Sequence, residues 1–191
     1  MPDEELDLPT AWSRAEDDTI DLPTAWSKAE GALSSKPPPQ PPADGSRIVA
    51  AGSSQIGQTG RTINDFLRQH GQTLDATKNN WCVAYVNSAL NANGIEGTTG
   101  PGKYVATSFL KWGQPAQGAP QPGDVLVQPR GRPAGTTGGH VGIATGHVAD
   151  GPNGQSYYLM QSGNYKDRVA YSWEPANTLV VRRAPPKQVD R

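Results

Sequence analysis

Asn80-Trp81-Cys82-Val83-Ala84-Tyr85-Val86-Asn87-Ser88-Ala89-Leu90 is the stretch from which the rest of the chain is read. Cys82, Val86, Ala89 and Leu90 recur at helical spacing, which predicts an amphipathic helix from about Trp81 to Asn93, with Gly94 as its C-terminal stop. Cys82 falls in the first turn. There the unpaired backbone N–H groups and the positive end of the macrodipole lower a thiol pKa and can hold an oxyanion. The competing reading is plain: a free cysteine on a helix is often a small buried hydrophobe.

Working outward, Thr62 to His70 carries Ile63, Phe66 and Leu67 at helical spacing and stops at Gly71, and a short helix is expected from Ala106 to Trp112 before Gly113. After Pro122-Gly123 the period changes to strands: Asp124 to Gln128, His140 to Gly146, Ser156 to Ser162, Arg168 to Trp173 and Leu179 to Arg183. Turn signals such as Asp150-Gly151-Pro152-Asn153-Gly154 separate them. The expected class is α+β, with N-terminal helices packed on a twisted antiparallel sheet and an extended N-terminal tail.

The strand block supplies partners for a thiol. His140, Gly142 and Ala144 share one face by period-two alternation, so small neighbours leave open space around the imidazole. Asn164 follows Ser162-Gly163 at a strand end and can fix the imidazole tautomer. Taken alone it is equally a turn asparagine. His70 reads as a helix C-terminal residue, and His147 lies just past a strand. Neither has metal-ligand spacing, so no metal and no cofactor is expected. Gly57-Gln58-Thr59-Gly60 lacks the lysine of a phosphate-binding loop.

Residues 1 to 45 hold ten acidic and three basic side chains, a balance of −7, while the remainder holds eight acidic and fourteen basic, a balance of +6. The overall −1 therefore conceals two opposite halves. A basic globular part suits a polyanionic target, although the absence of a Lys/Arg cluster argues against nucleic acid. Within the acidic part, Leu6-Asp7-Leu8-Pro9-Thr10-Ala11-Trp12-Ser13 returns as Ile20-Asp21-Leu22-Pro23-Thr24-Ala25-Trp26-Ser27. Two short copies are docking peptides rather than solenoid units, with Leu8, Trp12, Leu22 and Trp26 as the contacts, unless they fold back on their own domain. Pro37-Pro38-Pro39-Gln40-Pro41-Pro42 is a stiff spacer. The expected layout is a tail over 1–35, a linker over 36–46, a catalytic domain over 47–185 and a short tail over 186–191. With 22 Gly, 18 Pro and one Cys among 191 residues, the chain is loop-rich and cannot form an internal disulfide. No apolar run reaches membrane-spanning length, so no membrane insertion is expected. The acidic Met1-Pro2-Asp3-Glu4-Glu5 start has no signal-peptide features, so synthesis in the cytoplasm is expected.

Five blocks, Trp81 to Asn87, Phe109-Leu110-Lys111-Trp112-Gly113, Pro122-Gly123-Asp124-Val125, Gly139-His140-Val141-Gly142 and Gly163 to Val169, stand in an order that resembles CHAP-type and NlpC-like cysteine amidases and peptidases. The closer resemblance is to a phage- and prophage-associated branch of cell-wall hydrolases, and it covers about residues 48 to 184. The resemblance implies a papain-like CHAP fold with Cys82 as nucleophile, His140 as general base and then acid, and Asn164 as polar partner. Many such domains place Glu two residues before that Asn, where this chain has Ser162, so either Asn164 alone or Gln161 would supply the orientation. Asn80 and the Cys82 N–H would hold the oxyanion, with Trp81, Tyr104 and Trp112 lining a groove for sugar or peptide. The implied substrate is the peptidoglycan stem, cut by an amidase or endopeptidase. The implied setting is a virion, with the repeats bound to a phage structural protein, or a free lysin. The alternatives are an inactive CHAP-fold phage component and a secretion-delivered amidase effector.

Overall fold

The computed structural model describes residues 43–151 and 154–185. Among them, α1 (Ala43–Ser53), α2 (Asn64–Gln69) and α3 (Cys82–Asn91) precede β1 (Gln114–Pro115), β2 (Val125–Gln128), β3 (His140–Asp150), β4 (Ser156–Tyr165), β5 (Arg168–Pro175) and β6 (Val180–Arg183). The strands form one antiparallel sheet in the order β1-β6-β2-β3-β4-β5, so the architecture is α+β as expected. The repeats with Leu8, Trp12, Leu22 and Trp26, the linker up to residue 42 and the tail over 186–191 lie outside the described residues.

α3 is not amphipathic in place. Every side chain from Cys82 to Leu90 is buried, the condition of a helix wrapped on all sides. Ile48 of α1, Leu67 of α2, Val125 and Val127 of β2, Val141 and Ile143 of β3, and Val169 of β5 join it in one core. The alternating residues Leu126, Ala144 and Met160 turn to the reverse face of the sheet and form a second, small core with Tyr158, Leu179 and Val181. Asn87 is the polar anchor of the helix: its Oδ1 accepts from the Thr98 N–H at 2.9 Å, tying down the loop after Gly94. Gly94, at φ 68°, ends the helix as predicted, with the Ile95 N–H donating to the Leu90 carbonyl at 3.1 Å.

Other boundaries moved. The helix expected over 62–70 is Asn64–Gln69, and that expected over 106–112 is a 3₁₀ turn, Ala106–Lys111. β3 does not end at Gly146; it passes through a register shift between Ala144 and Val148 and continues to Asp150. Gly146 makes this possible, because its φ is 88° and a Cβ there would lie 2.6 Å from Pro122 Cγ. β4 and β5 likewise outrun the predicted strands. α1 begins inside the segment assigned to the linker. It carries Gly45 and Gly52, poor helix formers, and is held from outside by β4: Gln161 Nε2 donates to the Val49 carbonyl at 3.0 Å and Ser53 Oγ donates to Gln161 Oε1 at 3.0 Å.

Candidate functional site

The first turn of α3 abuts the start of β3. Trp81 is the N-cap residue and makes no side-chain cap bond, so the first-turn N–H groups are left for the sulfur. The backbone N–H groups of Val141, Val83 and Cys82 itself stand near enough to Cys82 Sγ to favour its thiolate. The Val141 contact sets the peptide just after His140 against the sulfur. β4 closes the third side. Gly163 has no Cβ because one would lie 2.6 Å from Trp81 Cζ3 and 2.7 Å from Tyr85 Cβ. That close approach brings Asn164, at φ 59°, to the segment just before α3, where its Nδ2 donates to Asn80 Oδ1 at 2.9 Å. Ile143 pairs with Gln161 and Ala144 with Met160, a register whose continuation sets Gly142 opposite Ser162 and His140 opposite Asn164.

Cys82, Asn80 and Asn164 line one cleft of about 280 Å³, together with Tyr104, Val105 and Ala106 on one wall and Arg130 and Thr137 to Gly139 on another. The second wall is the β2–β3 loop. It is fastened by Thr107 Oγ1, which donates to the Thr136 carbonyl at 2.6 Å, and turned by Gly139, where a Cβ would lie 2.8 Å from the Gln128 carbonyl.

Burial dominates the electrostatics. It pushes the Cys82 thiol above its ordinary 9.0, against the pull of the three N–H groups and the Arg130 charge. Burial, with a further contribution from Arg130, depresses His140 from 6.5 to about 4. At neutral pH Cys82 is therefore a thiol and His140 a neutral imidazole, not the thiolate that the helix N-terminus suggested. The imidazole does not stand in open space either. Its Nε2 is buried without a hydrogen-bond partner among the described residues, and the room left by Gly142 is taken by Met160, whose Cγ would lie 2.5 Å from a Cβ there.

Several expected site residues stand elsewhere. Trp81 is fully buried core, packed on Gly163, and lines no groove. Trp112 packs edge-on against Phe109, donates from Nε1 to the Glu96 carbonyl at 2.9 Å and borders a separate depression beside Gly94 to Gly97. Tyr104 is at the cleft, with its hydroxyl accepting from the Thr73 N–H at 3.0 Å. Gln161 points to α1 and does not orient His140. Ser162 is buried, and its Oγ has no partner among the described residues. His70 meets Phe66 edge-on and His147 bonds Thr145, so the three histidines do not converge. Among the described residues no cluster of His, Cys, Asp and Glu could hold a metal ion, and no helix is long and apolar enough to cross a membrane.

The sequence reading missed Arg130. The signal available was Pro129-Arg130-Gly131-Arg132 at the exit of a predicted strand, a cationic turn leading into a glycine-rich loop that returns at His140. Comparison of the chain with family models, with curated proteins and with solved structures gives no match.

Proposed function

We propose that the protein is a cysteine amidohydrolase of the papain-like CHAP type that cuts an amide bond of the peptidoglycan stem peptide. The observation that supports this most is the convergence of three sequence-distant blocks: Cys82 at the head of α3, the His140-Val141 peptide on its sulfur, and Asn164 bonded to Asn80 on the cleft rim. In this reading His140 takes the thiol proton as sulfur attacks the carbonyl carbon, then returns it to the leaving amine. Water subsequently hydrolyses the thioester, with His140 again accepting the proton. Because the Asn80 Oδ1 is occupied by Asn164, its Nδ2 is the end available to an oxyanion, alongside the Cys82 N–H.

The test is digestion of purified peptidoglycan by the protein and by Cys82→Ala, with products identified by mass spectrometry. New amino termini or released lactyl groups from the wild type alone are expected. Equal products from Cys82→Ala would sink the thiol mechanism. A second reading, an interaction protein without turnover, is favoured by the partnerless His140 Nε2 and by Ser162 where related domains carry an acid. It predicts no products from either protein across walls of several chemotypes.

A further inference from the structure

Among the described residues lining the Cys82 cleft, Arg130 is the only charged one. It is exposed on the β2–β3 loop and holds a left-handed backbone, φ 51°, which a non-glycine side chain adopts only at a cost. Among the described residues its guanidinium is anchored on one edge only. Nε and Nη2 donate to Gln128 Oε1 at 3.2 and 3.1 Å, and Gln128 in turn donates from Nε2 to Glu174 Oε2 at 3.1 Å. Gln128 is the cross-strand partner of His140, so the anchor is rooted in the strand beside the imidazole. The carboxylate of Glu174 sits behind Gln128, and among the described residues no acidic one lines the cleft to neutralise the cation. The remaining N–H groups keep the planar fork that matches a carboxylate.

We propose that Arg130 is a specificity residue that seats a substrate carboxylate beside the bond attacked by Cys82. This rests on the amidohydrolase reading, in which the substrate class is a peptide bearing a free carboxylate next to the scissile amide. Arg130 also acts on both reacting groups, since its charge favours thiolate at Cys82 and opposes protonation of His140.

The first test needs no turnover. The chain has one cysteine, so alkylation by anionic iodoacetate and by neutral iodoacetamide is followed unambiguously by mass. In each reaction the Sγ–CH₂ bond forms, the C–I bond breaks with iodide leaving on the electron pair, and the thiol proton passes to buffer. Any change in thiolate fraction affects both reagents alike and cancels in the ratio of their rates. Arg130→Gln is expected to lower the iodoacetate-to-iodoacetamide ratio about fivefold, the worth of one exposed charge pair. Arg130→Lys is expected to fall between the two. An unchanged ratio in Arg130→Gln overturns the proposal.

The second arm compares a stem peptide carrying a free carboxylate with its amide. For the wild type the KM of the amide exceeds that of the acid by about fivefold, and in Arg130→Gln that preference collapses towards one. Retention of the preference in Arg130→Gln also overturns the proposal. If the alkylation ratio falls but the wild type cleaves no wall, the amidohydrolase reading fails and the carboxylate site stands.

Discussion

Gly163→Ala tests the contact that brings β4 to the head of α3. Gly163 does not have a positive φ, so alanine carries no backbone penalty there and the cost is steric. The added Cβ would lie 2.6 Å from Trp81 Cζ3, 2.7 Å from Cε3 and 2.7 Å from Tyr85 Cβ. Apolar carbons rest at about 3.5–4.0 Å, so the overlap is roughly 1 Å against side chains with no room to turn. Trp81 and Tyr85 are both 0% exposed. Overpacking of this kind costs about 3 kcal/mol, which for a domain of this size lowers Tm by roughly 6–12 °C. Thermal unfolding followed by circular dichroism reads it, with Gly154→Ala as the control. At Gly154 no described residue lies within 4 Å of an added Cβ, and the φ of 68° is what penalises alanine. Trp81→Phe shrinks the obstructing ring, so the Gly163→Ala penalty is expected to be smaller in that background, a favourable coupling in a double-mutant cycle. The steric argument is refuted if Gly163→Ala loses no more Tm than Gly154→Ala, or if Trp81→Phe leaves its penalty unchanged.

Two further outcomes follow from buried charge. His140 has a folded pKa of about 4 against an ordinary 6.5, so its contribution to stability is complete above pH 6.5 and is lost as pH falls towards 4, a loss of about 3 kcal/mol. Urea unfolding at pH 7 and pH 4.5 is expected to show this loss in the wild type and a smaller one in His140→Gln; equal losses refute the burial of a neutral imidazole. Asp124 is 3% exposed and is held by Arg183 through Nε at 2.8 Å and Nη2 at 2.7 Å, while its Oδ2 also accepts the Gln121 N–H at 2.8 Å. Arg183→Leu strands that carboxylate and is expected to cost about 3 kcal/mol, whereas Asp124→Asn keeps one acceptor oxygen for Arg183 Nη2 and the Gln121 N–H, turns its NH2 towards Arg183 Nε, leaves no buried charge and costs less. The order of the two urea midpoints decides the matter.

What was legible in the sequence followed from periodicity. Cys82, Val86, Ala89 and Leu90 placed α3, Gly94 stopped it, and the run from Val125 to Arg183 gave most of the sheet, because these signals are local. Side-chain direction and long-range partners were less legible. The spacing of α3 suggested one buried face, whereas α1 and α2 cover its other sides, and α1 itself was hidden by two glycines and a preceding proline run. Trp81 next to the cysteine suggested a groove. The absence of a Cβ at Gly163 instead leaves a slot that its ring fills. Gln161 stands near His140 in register, but strand alternation turns it to the opposite face and onto α1. The partner of Asp124 lies 59 residues away, beyond any local pattern.

The thiol marks where local reasoning and the folded environment part company, and magnitudes explain which prevails. A helix N-terminus stabilises an adjacent anion by about 0.3–1 kcal/mol, less than one pKa unit, whereas full burial of an ionisable group shifts its pKa by up to about 3–5 units. Cys82 is only 7% exposed, so desolvation wins even with three N–H groups aimed at the sulfur. The same burial holds His140 neutral, and a neutral imidazole can accept a proton where an imidazolium cannot. An enzyme built on this pair would form its nucleophile during attack, with proton transfer coupled to formation of the carbon–sulfur bond. The N–H groups that face sulfur at rest are then placed to stabilise negative charge only when it appears, which is where stabilisation accelerates a reaction.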